Sequence, residues 1–344
     1  MNSKKRGIVL MNLGSPDSTE VKDVRRYLNE FLMDPRVIDK PYLLRALLVK
    51  GIIVPFRAPK SAAAYRSIWT EEGSPLIVLS EQLKKAVQGQ VEDVPVVIAM
   101  RYGNPTPWAA YDELLKMDPS IEEVVLFPLY PHWAMSSYDT AVEYAVKVHK
   151  ERNYKFDLKV TPPYYNQQEY LNALAESMKP YLAQEYDYVL FSYHGIPERH
   201  NINAVEDLNG CTSKKDCAAC KADVMPHEKC YRHQCTWTTE TVTTMLGIPA
   251  GKYGTSFQSR LGRDPWLQPY TAAQFEELPE RGFKKVLVVC PAFVSDCLET
   301  LEEIAEEGKE LFMHAGGESF QMIPCLNTHP TWVNTVLTLV DRTV

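Results

Sequence analysis

His194 closes the apolar run Tyr188-Val189-Leu190-Phe191 and is followed at once by Gly195 and Pro197. An imidazole in that place can take up a proton near neutral pH or bind a metal ion. A single histidine after a strand is more often packed or hydrogen-bonded, so it needs a partner before it implies chemistry. A second apolar run, Val286–Pro291, offers one, because it leads into Asp296, Cys297 and Glu299. If the two runs are neighbouring strands, His194 and Glu299 face one cleft. Together an imidazole and a carboxylate suit Fe2+, Zn2+ or Co2+, with loose selectivity between them.

Glu303 and Glu307 continue from Glu299 at i+4 and i+8, a spacing that predicts one face of an α-helix. Like charges so placed cost about 0.2–0.5 kcal/mol per pair. Glu302 and Glu306 add repulsion, and no basic residue follows until Lys309. A solvated acidic face is the ordinary explanation. The alternative is a hydrophilic track for a divalent cation or for protons, favoured because the row starts at a strand end beside His194.

Thiols form the second constellation. Five of the eight cysteines, Cys211, Cys217, Cys220, Cys230 and Cys235, are spaced C-x5-C-x2-C-x9-C-x4-C. Without a secretory signal such thiols stay reduced, so metal ligation is favoured over disulfides. Thiolates suit Zn2+ or an iron–sulfur cluster, and His227 and His233 keep zinc open. Cys290 and Cys325 read as buried residues without chemistry.

The elements that must position these groups follow from hydrophobic patterning. Apolar runs at Gly7–Leu13, Val94–Ala99, Val124–Leu129 and Phe156–Val160 alternate with helical segments. Such alternation predicts an α/β fold, a doubly wound parallel sheet with helices on both faces, with ligands at the carboxyl ends of the strands. Ser18 is placed to cap a helix through Val21, Val24, Tyr27, Leu28 and Phe31. At 344 residues the chain exceeds one core, so two domains are expected, residues 1–165 and 166–344. The cysteine-rich insert spans 207–235, and the last helix is free to pack back on the first domain.

Composition narrows the function classes. The chain is 45% hydrophobic and 24% charged with a net charge of −7, which argues against nucleic acid as partner. The start, with Lys4, Lys5 and Arg6, has too short an apolar piece for a signal peptide and reads as the first strand of a cytoplasmic protein. Residues 41–66 are unusual. Pro41–Phe56 carries only Arg45 and Lys50 as charges, and reads as a core helix followed by a buried strand or loop. Its other reading is an apolar lip over a greasy pocket, or a peripheral contact with the inner face of a membrane. Arg57, Lys60, Tyr65 and Arg66 follow, a basic cluster that suits ligand carboxylates as well as it suits solvent.

Several motifs recur together along the chain: NLGSPD at Asn12–Asp17, YRSIW and GSP within Tyr65–Pro75, RYGNP at Arg101–Pro105 and PLYPHW at Pro128–Trp133. SYHGIPERH spans Ser192–His200, QSRLGRDPWL spans Gln258–Leu267 and PAFVSDCLETLEEI spans Pro291–Ile304. In this combination the sequence resembles the ferrochelatases, which insert ferrous iron into a porphyrin to make haem. The resemblance covers nearly the whole chain. It implies two Rossmann-like doubly wound domains, chelatase-like, with the active-site cleft between them. His194 matches the family's active-site histidine and Glu299 its partner carboxylate. Glu303 and Glu307 match further acids of a path for the metal or protons. Leu13, Arg101, Tyr102, Trp266, Phe293 and Asp296 match positions that line or support the pocket.

Arg57, Arg66 and Arg101 are candidates for the propionates. The resemblance further implies protoporphyrin IX and Fe2+ as substrates, with coproporphyrin or another tetrapyrrole as the alternative. A non-catalytic haem- or iron-sensing protein is the reading from another class. Some members carry a [2Fe–2S] cluster on an internal insert. Here Cys211, Cys217, Cys220 and Cys230 are the expected ligands, Cys235 the alternative, and zinc the alternative metal. Relatives often have histidine where Cys297 stands. The oligomeric state is not legible.

Overall fold

The computed structural model describes residues 4–205, 228–262 and 264–343. Cys211, Cys217, Cys220 and His227 lie outside them. Eight strands are present among the described residues: β1 Arg6–Asn12, β2 Val96–Met100, β3 Glu123–Pro128, β4 Asp157–Val160, β5 Tyr188–His194, β6 Tyr253–Gln258, β7 Lys285–Val289 and β8 Ser319–Met322. They form two parallel sheets of the same topology, β2-β1-β3-β4 and β6-β5-β7-β8. The fold is α/β, as the alternation predicts. The central strands β1, β3, β5 and β7 are buried along almost their whole length, which is why they read as unbroken apolar runs. Of the four edge strands, β4 and β8 are more exposed, whereas β2 is buried throughout.

The chain divides into two compact units. The first comprises Met1–Leu129, Met135–Pro162 and Val333–Val344, and the second comprises Tyr130–Ala134 and Pro163–Trp332. In each sheet the order reverses beside the first strand of that unit, between β1 and β3 or between β5 and β7. Open sheets of this kind offer their binding crevice at that point.

In the first unit the loops after β1 and β2 interlock. Gly14 has φ +105°, and a Cβ there would lie 1.8 Å from the Tyr102 carbonyl oxygen, so no other residue fits. The Tyr27 hydroxyl donates to the Gly14 carbonyl at 3.1 Å. Tyr27 lies on the helix Val21–Leu32, whose N-cap is Glu20 rather than Ser18. Ser18 instead accepts from the Glu20 amide and donates to Asp23 in the first turn, so it supports the helix start from one step further out.

Residues 41–66 overturn the reading as a core helix and strand. The segment is helical at Tyr42–Leu48, widens into a π-turn at Val49–Ile53 and continues as a helix over Val54–Ile68. Its large apolar side chains face outward, with Leu43 81% exposed, Leu47 68% and Phe56 76%. The arginine is the residue that is buried: Arg45 donates to the carbonyls of Ile38 and Lys40. Apolar composition predicts burial only when a partner surface exists, and within its own unit this face has none. A groove of about 570 Å³ lies nearby, lined by Arg25, Arg26, Asn29, Lys50, Val54 and Pro55.

Candidate active site

β5 and β7 are neighbours, paired in parallel from Tyr188↔Val286 to Phe191↔Val289. That adjacency brings the end of β5, with His194, to the loop that carries Asp296 and Glu299. The half-buried His194 ring lies between Trp266 and Phe293, at centroid distances of 6.4 and 6.2 Å. His194 Nδ1 is 2.6 Å from the Gly195 carbonyl oxygen. A carbonyl only accepts, so Nδ1 carries the proton and Nε2 remains the proton-accepting nitrogen. Gly195 is required here, because a Cβ would lie 2.7 Å from the Gln258 carbonyl oxygen and 3.1 Å from the Trp266 ring.

The acidic row departs from the predicted α-helix. Leu298–Thr300 forms one helical turn, Leu301–Gly308 is a π-helix, and Lys309–His314 is α-helical. The wider turn closes hydrogen bonds at i+5. Glu302 and Glu307, five apart, therefore become hydrogen-bonded neighbours. Burial first, then the charges of Glu307, Glu303 and Glu306, push the Glu302 carboxyl up to about 7. Spacing of i, i+4, i+8 cannot distinguish this helix from an ordinary one.

Glu303 is the most constrained acid. Its carboxylate accepts from the Ser259 amide at 2.6 Å, the Ser259 hydroxyl at 2.5 Å and Gln258 Nε2 at 3.3 Å. Burial raises its pKa above the usual range, and the Glu299 charge raises it further. The Ser259 hydrogen bonds and the nearby His194 pull it back down. Ser259 has φ +64°, a conformation uncommon for a residue other than glycine, and it aims both of its donors at one carboxylate. Gln258 also donates to the Glu299 carbonyl at 2.6 Å and accepts from Ser192 on β5 at 2.8 Å. The sequence presents Gln258 and Ser259 only as part of a polar loop, and their role as clamp was missed.

Glu299 lies beside Glu303 and takes a hydrogen bond from the Cys297 thiol. Cys297 itself is buried and caps the turn at Leu298–Thr300. Asp296 turns inward and supports the loop. It accepts from Thr300 at 3.0 Å, Asn327 at 2.7 Å and the Cys325 amide at 3.3 Å. Glu307 is exposed, so the acids run from solvent at Glu307 to the half-buried Glu303. Among the described residues no three His, Cys, Asp or Glu side chains converge closely enough to hold a metal ion by themselves.

Leu13, Arg57, Arg101 and Tyr102 belong to the first unit. Arg101 is ion-paired with buried Asp34, donates to Thr140 at 2.8 Å, and packs against the Tyr102 and Tyr144 rings at 4.2 and 4.6 Å. Tyr102 and Thr140 also donate to Asp34. Burial alone would raise the Asp34 carboxyl, but the hydrogen bonds from Thr140 and the Arg36 amide and the Arg101 charge hold it below the usual carboxylate range. Leu13 is tied to the same loop, its carbonyl accepting from the Tyr102 amide at 2.8 Å. His132 of the PLYPHW motif belongs to the second unit. Burial lowers its pKa to about 3, so it is a neutral core histidine.

Of the remaining thiols, Cys230 and Cys235 are both fully buried. A helix runs over Tyr231–Leu246, so Cys230 is its N-cap and Cys235 lies inside it. Cys230 Sγ accepts from Asn201 Nδ2 at 3.6 Å.

The fold is that of a known chelatase. SirB from Bacillus subtilis with Fe3+ superposes with a TM-score of 0.54 at 12% identity, covering 98% of this chain and 95% of that one. A cobalt complex of the sirohydrochlorin chelatase SirB from Bacillus subtilis subspecies spizizenii gives 0.54 at 10%, covering 98% and 94%. The family model described as Ferrochelatase matches residues 5–344. Proteins named ferrochelatase from Ectopseudomonas mendocina and Pseudomonas fluorescens are each 48% identical over 97% of this chain and 97% of their own length. The chain belongs to the ferrochelatase family, enzymes of haem biosynthesis that insert a metal ion into a porphyrin.

The raised Glu302 carboxyl makes a thermodynamic prediction. Between pH 4.5, the ordinary value, and about pH 7 the unfolded chain releases a proton that the folded chain keeps. The contribution of this group to stability therefore falls as the pH rises through that window. Glu302→Gln raises the melting temperature at pH 8 and leaves it unchanged near pH 4. Thermal unfolding at the two pH values checks this, and equal shifts at both contradict it.

Proposed function

We propose that the chain inserts Fe2+ into protoporphyrin IX with release of two protons, forming protohaem in the last step of haem biosynthesis. The observation that carries this reading is His194 at a strand end, proton-accepting through Nε2, beside the Glu299–Glu303 acids. Two pyrrole N–H protons must leave as the metal enters, so a base has to stand over the ring centre. His194 Nε2 takes such a proton, and the negative charge of Glu303 stabilises the imidazolium. Protons leave outward by way of Glu302 and Glu307, whose hydrogen bond crosses the π-helix. Incoming Fe2+ is handed on by the same carboxylates and by the imidazole.

Trp266 and Phe293 act as walls that hold the macrocycle and bend it, so that nitrogen lone pairs are exposed to the metal. Asp296 supports the loop that carries Glu299. Arg101 serves by holding its loop, since its charge is matched by Asp34. Arg57 makes no ion pair among the described residues and is the better choice for a propionate. The outward-facing Leu43, Leu47 and Phe56 are suited to a peripheral contact on the inner face of a membrane, where a greasy substrate would be delivered to a cytoplasmic enzyme.

The cysteine-rich segment is proposed to hold a [2Fe–2S] cluster through Cys211, Cys217, Cys220 and Cys230, with zinc as the alternative. Cys230 fits this role, because its sulfur accepts an N–H from Asn201, the kind of hydrogen bond that tunes a ligating thiolate. Cys235 fits it poorly, being fully buried inside the helix rather than at its end. A bound cluster supplies a redox-sensitive cross-link to the segment.

His194→Ala and Glu299→Gln each lower the rate of Fe2+ insertion into protoporphyrin IX by about a hundredfold or more. Porphyrin affinity stays within a few fold. Anaerobic absorption assays check this, with coproporphyrin supplied in parallel. Wild-type rates in either variant, or insertion into coproporphyrin alone, contradict the reading. For the thiols, Cys230→Ser abolishes bound iron and acid-labile sulfide while Cys235→Ser retains both. Stoichiometric zinc without sulfide contradicts the cluster.

A further inference from the structure

β7 pairs with β5 only as far as Phe191, whereas β6 continues alongside to His194↔Gln258. The last residues of β5 therefore run on with a strand partner on one side. The peptide that joins His194 to Gly195 is nevertheless held at both ends. Its N–H donates to the Gln258 carbonyl at 2.8 Å, which is the continuation of the β5–β6 ladder. Its carbonyl accepts from the Tyr231 hydroxyl at 2.9 Å, which no ladder supplies. The next carbonyl along, that of Gly195, is the one that receives His194 Nδ1–H at 2.6 Å. A rotation of the first peptide plane would displace the second carbonyl and, with it, the imidazole.

Tyr231 is built to resist such a rotation. It is buried, it is the first residue of the helix Tyr231–Leu246, and its ring packs edge-on against His132 at 6.1 Å. Its hydroxyl has one proton, committed to the His194 carbonyl. The buried Cys235 thiol, one turn further along the same helix, stands beside that hydroxyl. Cys235 thus packs behind the hydroxyl that holds the peptide.

We propose that Tyr231, backed by Cys235, is a positioning residue that holds the His194–Gly195 peptide and thereby aims the imidazole at the porphyrin. The inference rests on the assignment of His194 as proton acceptor. A misplaced base slows the chemical step and leaves substrate binding alone, which separates positioning from general support of the fold.

In the full-length protein, Tyr231→Phe removes one oxygen and keeps the ring. The expected result is a kcat for Fe2+ insertion into protoporphyrin IX about tenfold below wild type, with the KM for both substrates within twofold. An unchanged kcat, or KM rising in step with the fall in kcat, overturns the proposal. If Tyr231→Phe shows no cooperative melting, Cys235→Ala decides. A severalfold lower kcat at constant KM supports the role, and wild-type kcat overturns it. His194→Ala is run alongside. Activity retained there overturns the assignment of His194. Activity lost there, with Tyr231→Phe at wild-type kcat, overturns the positioning role alone.

Discussion

The half-buried carboxylate of Glu303 is the constraint around which the end of β5 and the acidic helix are arranged. An acid taken out of water must be given donors or it will be neutralised. Here Ser259 contributes two and Gln258 a third, and the same Gln258 reaches Ser192 on β5 and the Glu299 carbonyl. One glutamine side chain therefore ties the acidic π-helix to the strand that ends in His194. The left-handed conformation of Ser259 is the local strain that this clamp requires. The end of β5 and the start of the acidic helix are held together by this network.

The two sheets show what one topology can be used for. Both reverse their strand order beside the first strand, and both place loops at the carboxyl ends there. In the first unit the two loops lock together through Gly14 and the Asp34–Arg101–Tyr102 cluster, a fully paired arrangement with little charge left over. In the second unit the corresponding loops leave an imidazole and carboxylates in one another's electric field. The shared fold explains the likeness to SirB, and the proposed chemistry is assigned to the side chains at the second strand end.

Much of this was legible in the residues. Parallel strands buried on both faces read as continuous apolar runs, so β5 and β7, and His194 at the end of the first, follow from pattern alone. What was not legible has physical causes. Glutamates four apart fit an α-helix and a π-helix equally well, so the Glu302–Glu307 contact was hidden. Ser259 is not a glycine, so nothing announced its positive φ. Tyr231 and Cys235 looked like part of the cysteine-rich segment, because Cys230–Gln234 lacks the apolar spacing that marks a helix start. Residues 41–56 were apolar enough for a core, and only the absence of a covering surface in their unit turned Leu43 outward and Arg45 inward.

If His194 and Glu303 act as one unit, held together by the Gln258–Ser259 clamp, their effects on the chemical step cannot be independent. The direct measurement is a double-mutant cycle on kcat/KM for Fe2+ insertion into protoporphyrin IX, with His194→Ala, Glu303→Gln and the double variant. The account predicts that the double variant is about as slow as the slower single one. Losses that multiply, as for two groups that do not sense each other, would contradict it.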